Sequence, residues 1–324
     1  MLRLTVDEQA WRSRVEAIHD AVPGLVPVVK GNGYGFGRAL LAEIAGRWRP
    51  DELAVGSVHE LADVCAVPAI RGTAVISLTP AMHLPDDLPA QAVLTVGNLA
   101  HVDALARRGI RGRVAVKLES SMHRHGSTAE RLPALLDRLA ADGFEVHQFV
   151  LHLPLASTTL TDVQALAEVE GWLPHLDRAV PISLGHVSAD AHRSLCAAHD
   201  ERSFRLRSGT ALWHGDKASL RLAADVLDVR SIDVGQAAGY RQVPVSTAGH
   251  LVMIGAGSSH GVLPLDGGLS PFHFERQRMP LVEGPHMHTS MVVVPRGAPV
   301  PEVGDWVDVQ RPLTSVTADV VEWR

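Results

Sequence analysis

Two apolar runs of the sequence end in a lysine, and the first of these lysines is a candidate reactive group. The first run reads LVPVVKGNGYGFG, in which Lys30 precedes a glycine at every second position from Gly31 to Gly37 around Tyr34. A lysine in a water-poor site loses its proton more easily, and the free amine can form a Schiff base with a carbonyl compound. The glycine spacing fits neither the dinucleotide fingerprint nor the phosphate loop. Lys30 is therefore a candidate for covalent catalysis, and the alternative is a lysine that reaches solvent before a glycine-rich loop.

The second run, VAVKLESSMHRHG, spans Val114 to Gly126. It ends near Lys117, and Arg124 follows seven residues later.

Short apolar runs recur along the first ~210 residues and alternate with helical patterns, as expected for a parallel sheet. The predicted strands are Leu25–Val29, Leu53–Val55, Thr73–Leu78, Val93–Val96, Arg113–Leu118, Val146–Leu153, Val180–Ser183 and Phe204–Leu206. The predicted helices are Leu40–Trp48, Val58–Cys65, Leu99–Arg107, Ala129–Ala141, Thr161–Leu173 and Ala189–His199. About eight such units fit a closed α/β barrel, an eight-stranded (β/α)8 TIM-type barrel, better than an open sheet.

Beyond Lys217 the pattern changes to alternating strands interrupted by glycine and proline. The strands predicted in this part are Val226–Val234, His250–Ile254, Ser290–Val294 and Trp306–Val309. We therefore expect two domains, a barrel over residues 1–217 and a C-terminal all-β domain over residues 218–324.

The composition excludes several classes of protein. The 324 residues are 46% hydrophobic and 20% charged, with a net charge of -6, so a basic surface for nucleic acid is not expected. Two cysteines, Cys65 and Cys196, cannot form a disulfide framework and indicate a reducing compartment. There is no signal-like segment and no apolar run of about 18 residues, so we expect a soluble, cytoplasmic protein without a membrane partner. Tyrosine occurs only twice, which makes each one a residue of interest.

The segments VVKGNGYGFG and VKLESSMHRHG together resemble the alanine racemase family of pyridoxal-phosphate enzymes. That family begins its barrel with a strand, a lysine and a Tyr-Gly pair, and later carries a lysine followed by an arginine at this spacing. Further family landmarks occur in the same order along nearly the whole chain: His152 in FVLHLPLA, Ser188 in HVSAD, Arg207 to Thr210 in RLRSGTALWHG, and Tyr240 in VGQAAGYRQV.

The resemblance implies a two-base racemisation of a small amino acid. Inversion needs a base on one face of the substrate carbanion and an acid on the other. Lys30 would bind pyridoxal 5'-phosphate covalently and act as one acid/base. Tyr240, from the partner subunit of a head-to-tail homodimer, would be the second, with His152 in its proton network.

The resemblance also implies the residues that hold the cofactor and substrate. Those expected at the cofactor phosphate are Tyr34, Ser188, and the backbone of Gly209 and Thr210. Arg207 would face the pyridine nitrogen, where its positive charge disfavours protonation and limits side reactions. Arg124 would lie near the cofactor phenolate and the substrate carboxylate.

Two segments depart from the family pattern. MIGAGSSHGV replaces the usual apolar-Gly-Tyr-Ala-Asp-Gly segment and lacks its tyrosine. HMHTS replaces the segment that usually contains Cys-Met-Asp, so that His288 and Thr289 stand where methionine and aspartate would contact the partner's substrate. The identity of the amino acid is therefore open.

Three other functions remain as alternatives. The pairs His123/His125 and His286/His288 would each share one face of a strand, as in a metal-dependent barrel hydrolase, although no carboxylate ligands accompany them and no metal is expected. A cofactor-binding protein without catalysis would consist of the barrel alone. A decarboxylase on the same fold is suggested by Lys30-Gly31-Asn32, although its glycine triplet is absent.

Overall fold

A computed structural model describes residues 1–155 and 161–324 of the chain. These residues divide into two units, one formed by Val15–Gly215 and the other by Met1–Arg14 together with Asp216–Arg324. The chain starts with strand β1 (Leu2–Val6) and helix α1 (Glu8–Ala21).

The unit Val15–Gly215 contains eight parallel strands that form a nearly closed barrel. They are β2 (Leu25–Pro27), β3 (Glu52–Val55), β4 (Ala74–Ser77), β5 (Ala92–Val96), β6 (Gly112–Lys117), β7 (Phe144–His152), β8 (Ile182–Gly185) and β9 (Phe204–Ser208). Their order around the sheet is β2-β9-β8-β7-β6-β5-β4-β3, and a parallel bridge between Val28 and Ala54 joins its two edges. The predicted TIM-type barrel is therefore confirmed.

Helices follow the barrel strands and end in loops. They are α2 (Arg38–Gly46), α3 (Leu61–Cys65), α4 (Leu99–Arg107), α5 (Leu132–Ala141), α6 (Asp162–Trp172), α7 (Ala189–Ala198) and α8 (Thr210–His214). Single 3-10 turns lie at Gly33–Gly35, Val58–Glu60, Pro68–Ile70, Leu173–His175, Lys217–Ser219, Ser258–His260, Asp266–Gly268 and Leu313–Ser315. Asn98 caps α4 by accepting the backbone N–H of His101 at 3.0 Å, which satisfies one free donor of the first turn.

Apolar side chains fill most of the barrel. Strands β3, β4 and β8 are buried along their whole length, as expected for strands covered on both faces, and so read as continuous apolar runs. A polar exception occurs where β3 begins, because the buried carboxylate of Glu52 accepts hydrogen bonds from Arg205 and, at 2.7 Å, from Nε2 of His147. This charge is paired inside the barrel, at the end of β3 away from the loops that follow the strands.

The second unit is built on β-strands. They are β10 (Leu220–Ile232), β11 (Ala237–Ala238), β12 (Val243–Pro244), β13 (Gly249–Ile254), β14 (Phe272–Phe274), β15 (Gln277–Arg278), β16 (Ser290–Pro295), β17 (Trp306–Val309) and β18 (Val320–Trp323). The main path is β15-β14-β17-β10-β1-β18, β13 pairs with β10 and β16, and β11 and β12 form a separate hairpin. The C-terminal β domain predicted from the sequence is confirmed.

The domain boundary differs from the sequence prediction at the N-terminus. Residues 1–217 were assigned to the barrel, whereas β1 pairs antiparallel with β10 and parallel with β18. The inward side chains Leu2, Leu4 and Val6 are fully buried in this sheet. Met1–Arg14 therefore group with the β unit rather than with the barrel. Among the helices described, none is long and apolar enough to cross a membrane.

Candidate active site

The loops that follow five barrel strands surround one cavity of about 300 Å³. It is lined by residues at or after the ends of β2, β3, β4, β6 and β7, namely Lys30, Gly56, Leu78, Thr79, Lys117, Arg124, His125 and His152. The structure thus brings together three residues singled out from the sequence, Lys30, Arg124 and His152. This is the face of a barrel at which active sites lie.

Lys30 stands in the loop after β2, where its carbonyl oxygen accepts the N–H of Gly33 at 3.1 Å. Lys30 remains exposed to solvent, and the partial desolvation of its amine lowers its pKa. The cations Arg124 and Arg207 lower it further, while Glu60 acts in the opposite direction. A larger fraction of Lys30 is therefore unprotonated near neutral pH than of an ordinary lysine, as its proposed chemistry requires.

Lys117 ends β6 on the same cavity and is only 3% exposed. Burial, assisted by Arg207, Arg124 and Lys30, lowers the pKa of Lys117 to about 7. All three charges that act on it are positive, so its ammonium form is disfavoured by both desolvation and repulsion.

Arg207, on β9, is buried and held by neutral oxygens. Its Nη1 donates to the carbonyl oxygen and the hydroxyl of Ser183, at 2.6 and 2.8 Å, and its Nη2 donates to the carbonyl oxygen of Leu151 at 2.9 Å. Burial lowers the pKa of Arg207 to about 9. Gly185 leaves room for it, because an added Cβ would lie 3.0 Å from Nη2 of Arg207 and 3.1 Å from Nδ1 of His152. Arg207 is thus a fixed cation beside His152.

Two histidine rings lie side by side, one at the end of β7 and one just after β8. The ring centroids of His152 and His186 are 4.4 Å apart. Burial, Arg207 and His186 lower the pKa of His152 to about 2, so its imidazole is neutral. His186 is held with φ of +67°, and its Nδ1 donates to the carbonyl oxygen of Leu153 at 2.9 Å. Its Nε2 is therefore the acceptor in the neutral ring.

Four residues near the cavity are not among the racemase site residues that the resemblance implies: Glu60, Lys117, His125 and His186. An added Cβ on Gly56 would lie 3.2 Å from both the Glu60 carboxylate and Cβ of Lys30, so these two side chains flank the same glycine. Burial first, and then Lys117 and Arg124, lower the pKa of His125 to about 4. Position just after a barrel strand would have identified Lys117 and His186, whereas Glu60 and His125 stand further along their loops and carry no such signal.

Tyr34 and Gly209 meet at the start of α8. The ring of Tyr34 is buried, and a Cβ on Gly209 would overlap its hydroxyl, so only glycine permits this approach. His214 Nε2 donates to the backbone oxygen of Tyr34 at 2.5 Å, which fixes the tyrosine at φ of +55°. Burial, with a contribution from Glu60, raises the pKa of Tyr34, so its phenol stays protonated. The structure thus brings together Tyr34 and the backbone at Gly209, next to Thr210.

Ser188 caps the N-terminus of α7. Its hydroxyl accepts the N–H of Ala191 at 3.1 Å and donates to Oδ2 of Asp162 at 2.5 Å. Ser188 therefore has the N-cap role that is common for a serine at the start of a helix. Its predicted contact with a phosphate stays a prediction, because the hydroxyl proton is directed at Asp162.

Tyr240 belongs to the β unit and is 86% exposed. It lies in the four-residue loop Gly239–Gln242 that joins β11 to β12. The backbone N–H of Tyr240 donates to Glu283 Oε1 at 2.8 Å, and the rings of Tyr240 and His286 lie 4.3 Å apart. The tyrosine is thus presented to solvent by a fixed loop.

His288 and Thr289 lie in a turn just before β16. The hydroxyl of Ser259 donates to the carbonyl oxygen of Met287 at 2.5 Å and accepts from His288 Nδ1 at 3.0 Å. The backbone N–H of His286 donates to the carbonyl oxygen of Thr289 at 2.8 Å. These contacts fix the backbone of the segment, and the predicted substrate contacts of His288 and Thr289 stay predictions.

The two His-x-His pairs do not lie on strands, and this part of the sequence interpretation was wrong. His123 and His125 stand in the loop after β6, with φ of +49° at His123, and His286 and His288 stand in the turn before β16. Period-two alternation places side chains on one face only in extended backbone. In the described part of the chain, no group of three or more histidines, cysteines or carboxylates could hold a metal.

The protein is thus a TIM-type barrel with a lysine in the loop after its first strand, joined to a β domain. Comparison with known proteins identifies its family. The family model "Alanine racemase, N-terminal domain" matches residues 6–216. The chain therefore belongs to the alanine racemase family.

Individual relatives agree with this assignment. The chain is similar to an alanine racemase from Mycobacterium tuberculosis strain H37Rv, with 25% identity over 282 residues, 79% of this chain and 72% of that protein. A match to the alanine racemase of Nitratidesulfovibrio vulgaris strain Miyazaki F has 31% identity over 137 residues, 41% of this chain and 37% of that protein.

Solved structures show the same fold over the whole chain. The alanine racemase from Bartonella henselae, solved with covalently bound pyridoxal phosphate, has a TM-score of 0.73 at 18% identity and covers 100% of this chain and 99% of its own. The biosynthetic alanine racemase from Pseudomonas aeruginosa has a TM-score of 0.68 at 22% identity, with 100% and 98% covered.

Proposed function

We propose that the protein is a pyridoxal-phosphate-dependent racemase that interconverts the L and D forms of a small amino acid, with alanine as the first candidate. The observation that carries the proposal is the position of Lys30, which lies on the cavity of an alanine racemase family barrel and has a lowered pKa. Racemisation by two bases needs a general base on each face of the substrate, and an amine with a lowered pKa can serve as one of them.

The residues around the cavity fit an anionic carbonyl cofactor. Lys30, Lys117 and Arg124 line the cavity, and Arg207 lies beside His152. The negative charge that acts on Lys30 against these cations is that of Glu60. Such an excess of positive charge in a partly dry site favours a ligand with phosphate and phenolate groups. We therefore assign pyridoxal 5'-phosphate as the cofactor.

Two groups of residues would hold it. Near the start of α8, the protonated hydroxyl of Tyr34 and the backbone at Gly209 and Thr210 would bind the phosphate, with Ser188 completing the set after its hydroxyl turns from Asp162. At the other end, Arg207 would face the pyridine nitrogen. The guanidinium of Arg207 is already fixed by three neutral oxygens and therefore brings a full positive charge to that position.

When bound, the cofactor supplies an attachment for the substrate amino group and an electron sink that acidifies the Cα–H bond. Lys30 then removes or returns the Cα proton through Nζ on one face, which its lowered pKa favours near neutral pH. Arg124, which is exposed at the cavity, would bind the substrate carboxylate by charge-assisted hydrogen bonds.

The second acid/base would be the hydroxyl of Tyr240, supplied by a second copy of the chain in a head-to-tail homodimer. Its 86% exposure supports this role, because a phenol on a fixed loop can enter another subunit's site without unfolding its own. His152 would join its proton network as a neutral imidazole that accepts or donates one hydrogen bond.

His288 and Thr289 of the same second copy would contact the substrate.

The cell compartment that we propose is the cytoplasm, because both cysteines, Cys65 and Cys196, are free thiols. The D-amino acid would therefore be formed in a reducing compartment.

Incubation with a panel of L-amino acids in deuterated water tests the reaction. We expect at least one small amino acid to exchange its α-proton and to be inverted. Mass spectrometry measures the exchange, and chiral chromatography measures the inversion. Release of carbon dioxide would indicate decarboxylation. Cofactor binding with no exchange of any amino acid would refute the racemase assignment.

A second experiment tests the lysine. Borohydride reduction of the loaded protein should fix the cofactor to Lys30, and Lys30→Ala should abolish this adduct. Lys217→Ala is the matched control, because Lys217 is an exposed lysine of the β unit and should leave the adduct intact. An unchanged adduct in Lys30→Ala would show that another lysine holds the cofactor.

A further inference from the structure

The loop that carries Tyr240 is unusually well fixed for a hairpin tip. The strands β11 and β12 pair through only two residues each, Ala237 with Pro244 and Ala238 with Val243. So short a hairpin is not expected to hold its loop by itself. A proton-transferring phenol, however, must be placed accurately, because a misplacement of about 1 Å can reduce a rate about 100-fold.

Glu283 supplies the missing constraint from another segment. Its side chain is only 6% exposed, and its two carboxylate oxygens accept the backbone N–H groups of Tyr240 and Arg241 at 2.8 and 3.2 Å. Gly239, with φ of +80°, admits the carboxylate, because an added Cβ there would overlap it. The carboxylate is thus inserted beneath the loop, and hydrogen bonds from His286 and the two amides lower the pKa of Glu283.

His286 extends the same arrangement to the tyrosine ring. Its Nε2 donates to Oε1 of Glu283 at 2.6 Å, which fixes the plane of the imidazole. The imidazole then packs on the ring of Tyr240 with a centroid distance of 4.3 Å and an interplanar angle of 34°. The backbone of His286 is itself held, because its carbonyl oxygen accepts the N–H of Ser258 at 2.7 Å.

We propose that Glu283 and His286 are positioning residues for Tyr240, with Glu283 fixing the backbone of its loop and His286 orienting its ring for proton transfer. The inference rests on the proposed racemase function. In this proposal both residues act through Tyr240, which is the group that they contact. Glu283→Gln keeps the size of the side chain but leaves a single good acceptor for three donors.

The activity test is a double-mutant cycle on the loaded enzyme. Tyr240→Phe should lower kcat about 100-fold or more, and Glu283→Gln about 10-fold with KM nearly unchanged. In the Tyr240→Phe background, Glu283→Gln should have no further effect. Because each base serves one face, α-proton exchange in Glu283→Gln should slow more for one enantiomer than for the other.

A second readout does not depend on activity. Amide hydrogen exchange at Tyr240 and Arg241 should accelerate at least about 10-fold in Glu283→Gln. His286→Gln, whose amide nitrogen can replace Nε2 of the imidazole, should preserve amide protection better than His286→Ala. Asp305→Asn is the matched control, since Asp305 also accepts a backbone N–H, from Glu302 at 2.8 Å, in an exposed turn of the same unit.

The outcomes separate the two proposals. A wild-type enzyme that racemises no amino acid overturns the proposed function and this inference with it. A racemase in which Glu283→Gln leaves kcat unchanged, or lowers it equally with and without the Tyr240 hydroxyl, overturns only the positioning role. Unchanged amide protection in a folded Glu283→Gln protein also contradicts it.

Discussion

Lys117 should destabilise the cofactor-free protein, and Lys117→Met should relieve that penalty. Lys117 is 3% exposed, and its pKa falls to about 7 from the ordinary 10.5. One pKa unit corresponds to about 1.36 kcal/mol, so the charged form of Lys117 is about 5 kcal/mol less favourable in the folded chain than in the unfolded chain. Methionine has a similar length and no charge, so it should fill the same space.

The effect depends on pH in a defined direction. The folded pKa is lower than the unfolded one, so between about pH 7 and 10.5 the chain takes up a proton when it unfolds. The penalty is fully present only below about pH 7, and it declines steadily as the pH rises from about 7 to the ordinary value of 10.5. Lys117→Met should therefore stabilise the protein by about 4 kcal/mol at pH 7, about 2 kcal/mol at pH 9, and little above pH 11.

Urea unfolding of wild type and Lys117→Met at several pH values measures this difference. Lys217→Met is the control, because Lys217 is exposed and its removal should give a small, flat difference. A stabilisation that stayed constant from pH 6 to pH 10 would refute the assignment of the penalty to a buried charge. A destabilised Lys117→Met at pH 7 would indicate that the amine has a favourable partner.

Three further substitutions test separate features of the fold. Gly209→Ala should destabilise the protein by about 1–3 kcal/mol, because the added Cβ overlaps the Tyr34 hydroxyl. Thermal unfolding should show that Tyr34→Phe recovers part of this loss. An equal loss with and without the Tyr34→Phe substitution would contradict the contact. Glu52→Gln should cost about 3 kcal/mol in urea unfolding, because it leaves Arg205 without its buried counter-charge, and a neutral effect would show that the pair is dispensable. Asn98→Ala should cost about 1 kcal/mol through loss of the α4 cap, and no measurable loss would indicate that water replaces it.

The barrel could be predicted from the sequence because its strands are short apolar runs, and helical patterns follow most of them. Val93–Val96 and Phe204–Leu206, for example, lie inside the observed β5 and β9. A strand that is buried on both faces needs few polar residues, so it appears in the sequence as a nearly continuous apolar run. Sequence patterns therefore placed the strand ends, and with them Lys30 and His152.

Other features could not be read from local pattern. LRLTV alternates as a strand should, but nothing in it tells that its neighbours are β10 and β18, more than 200 residues away. Glu60 and His125 reach the site through loops, whose course depends on tertiary contacts. The hydroxyl of Ser188 could be identified as a cap or as a ligand, and only the position of Asp162 shows how it is satisfied in the structure.

The pairing of β1 with β10 and β18 has a consequence for the order in which the chain folds during synthesis. During synthesis β1 emerges before the barrel, but its partners emerge only after the whole of Val15–Gly215. The barrel can fold as a unit while Leu2, Leu4 and Val6 still expose apolar side chains and unpaired backbone groups. Such a strand is an open edge to which another chain can add. Aggregation can therefore compete with folding until β10 and β18 have emerged, and a chaperone that covers Leu2–Val6 would be most effective during this interval.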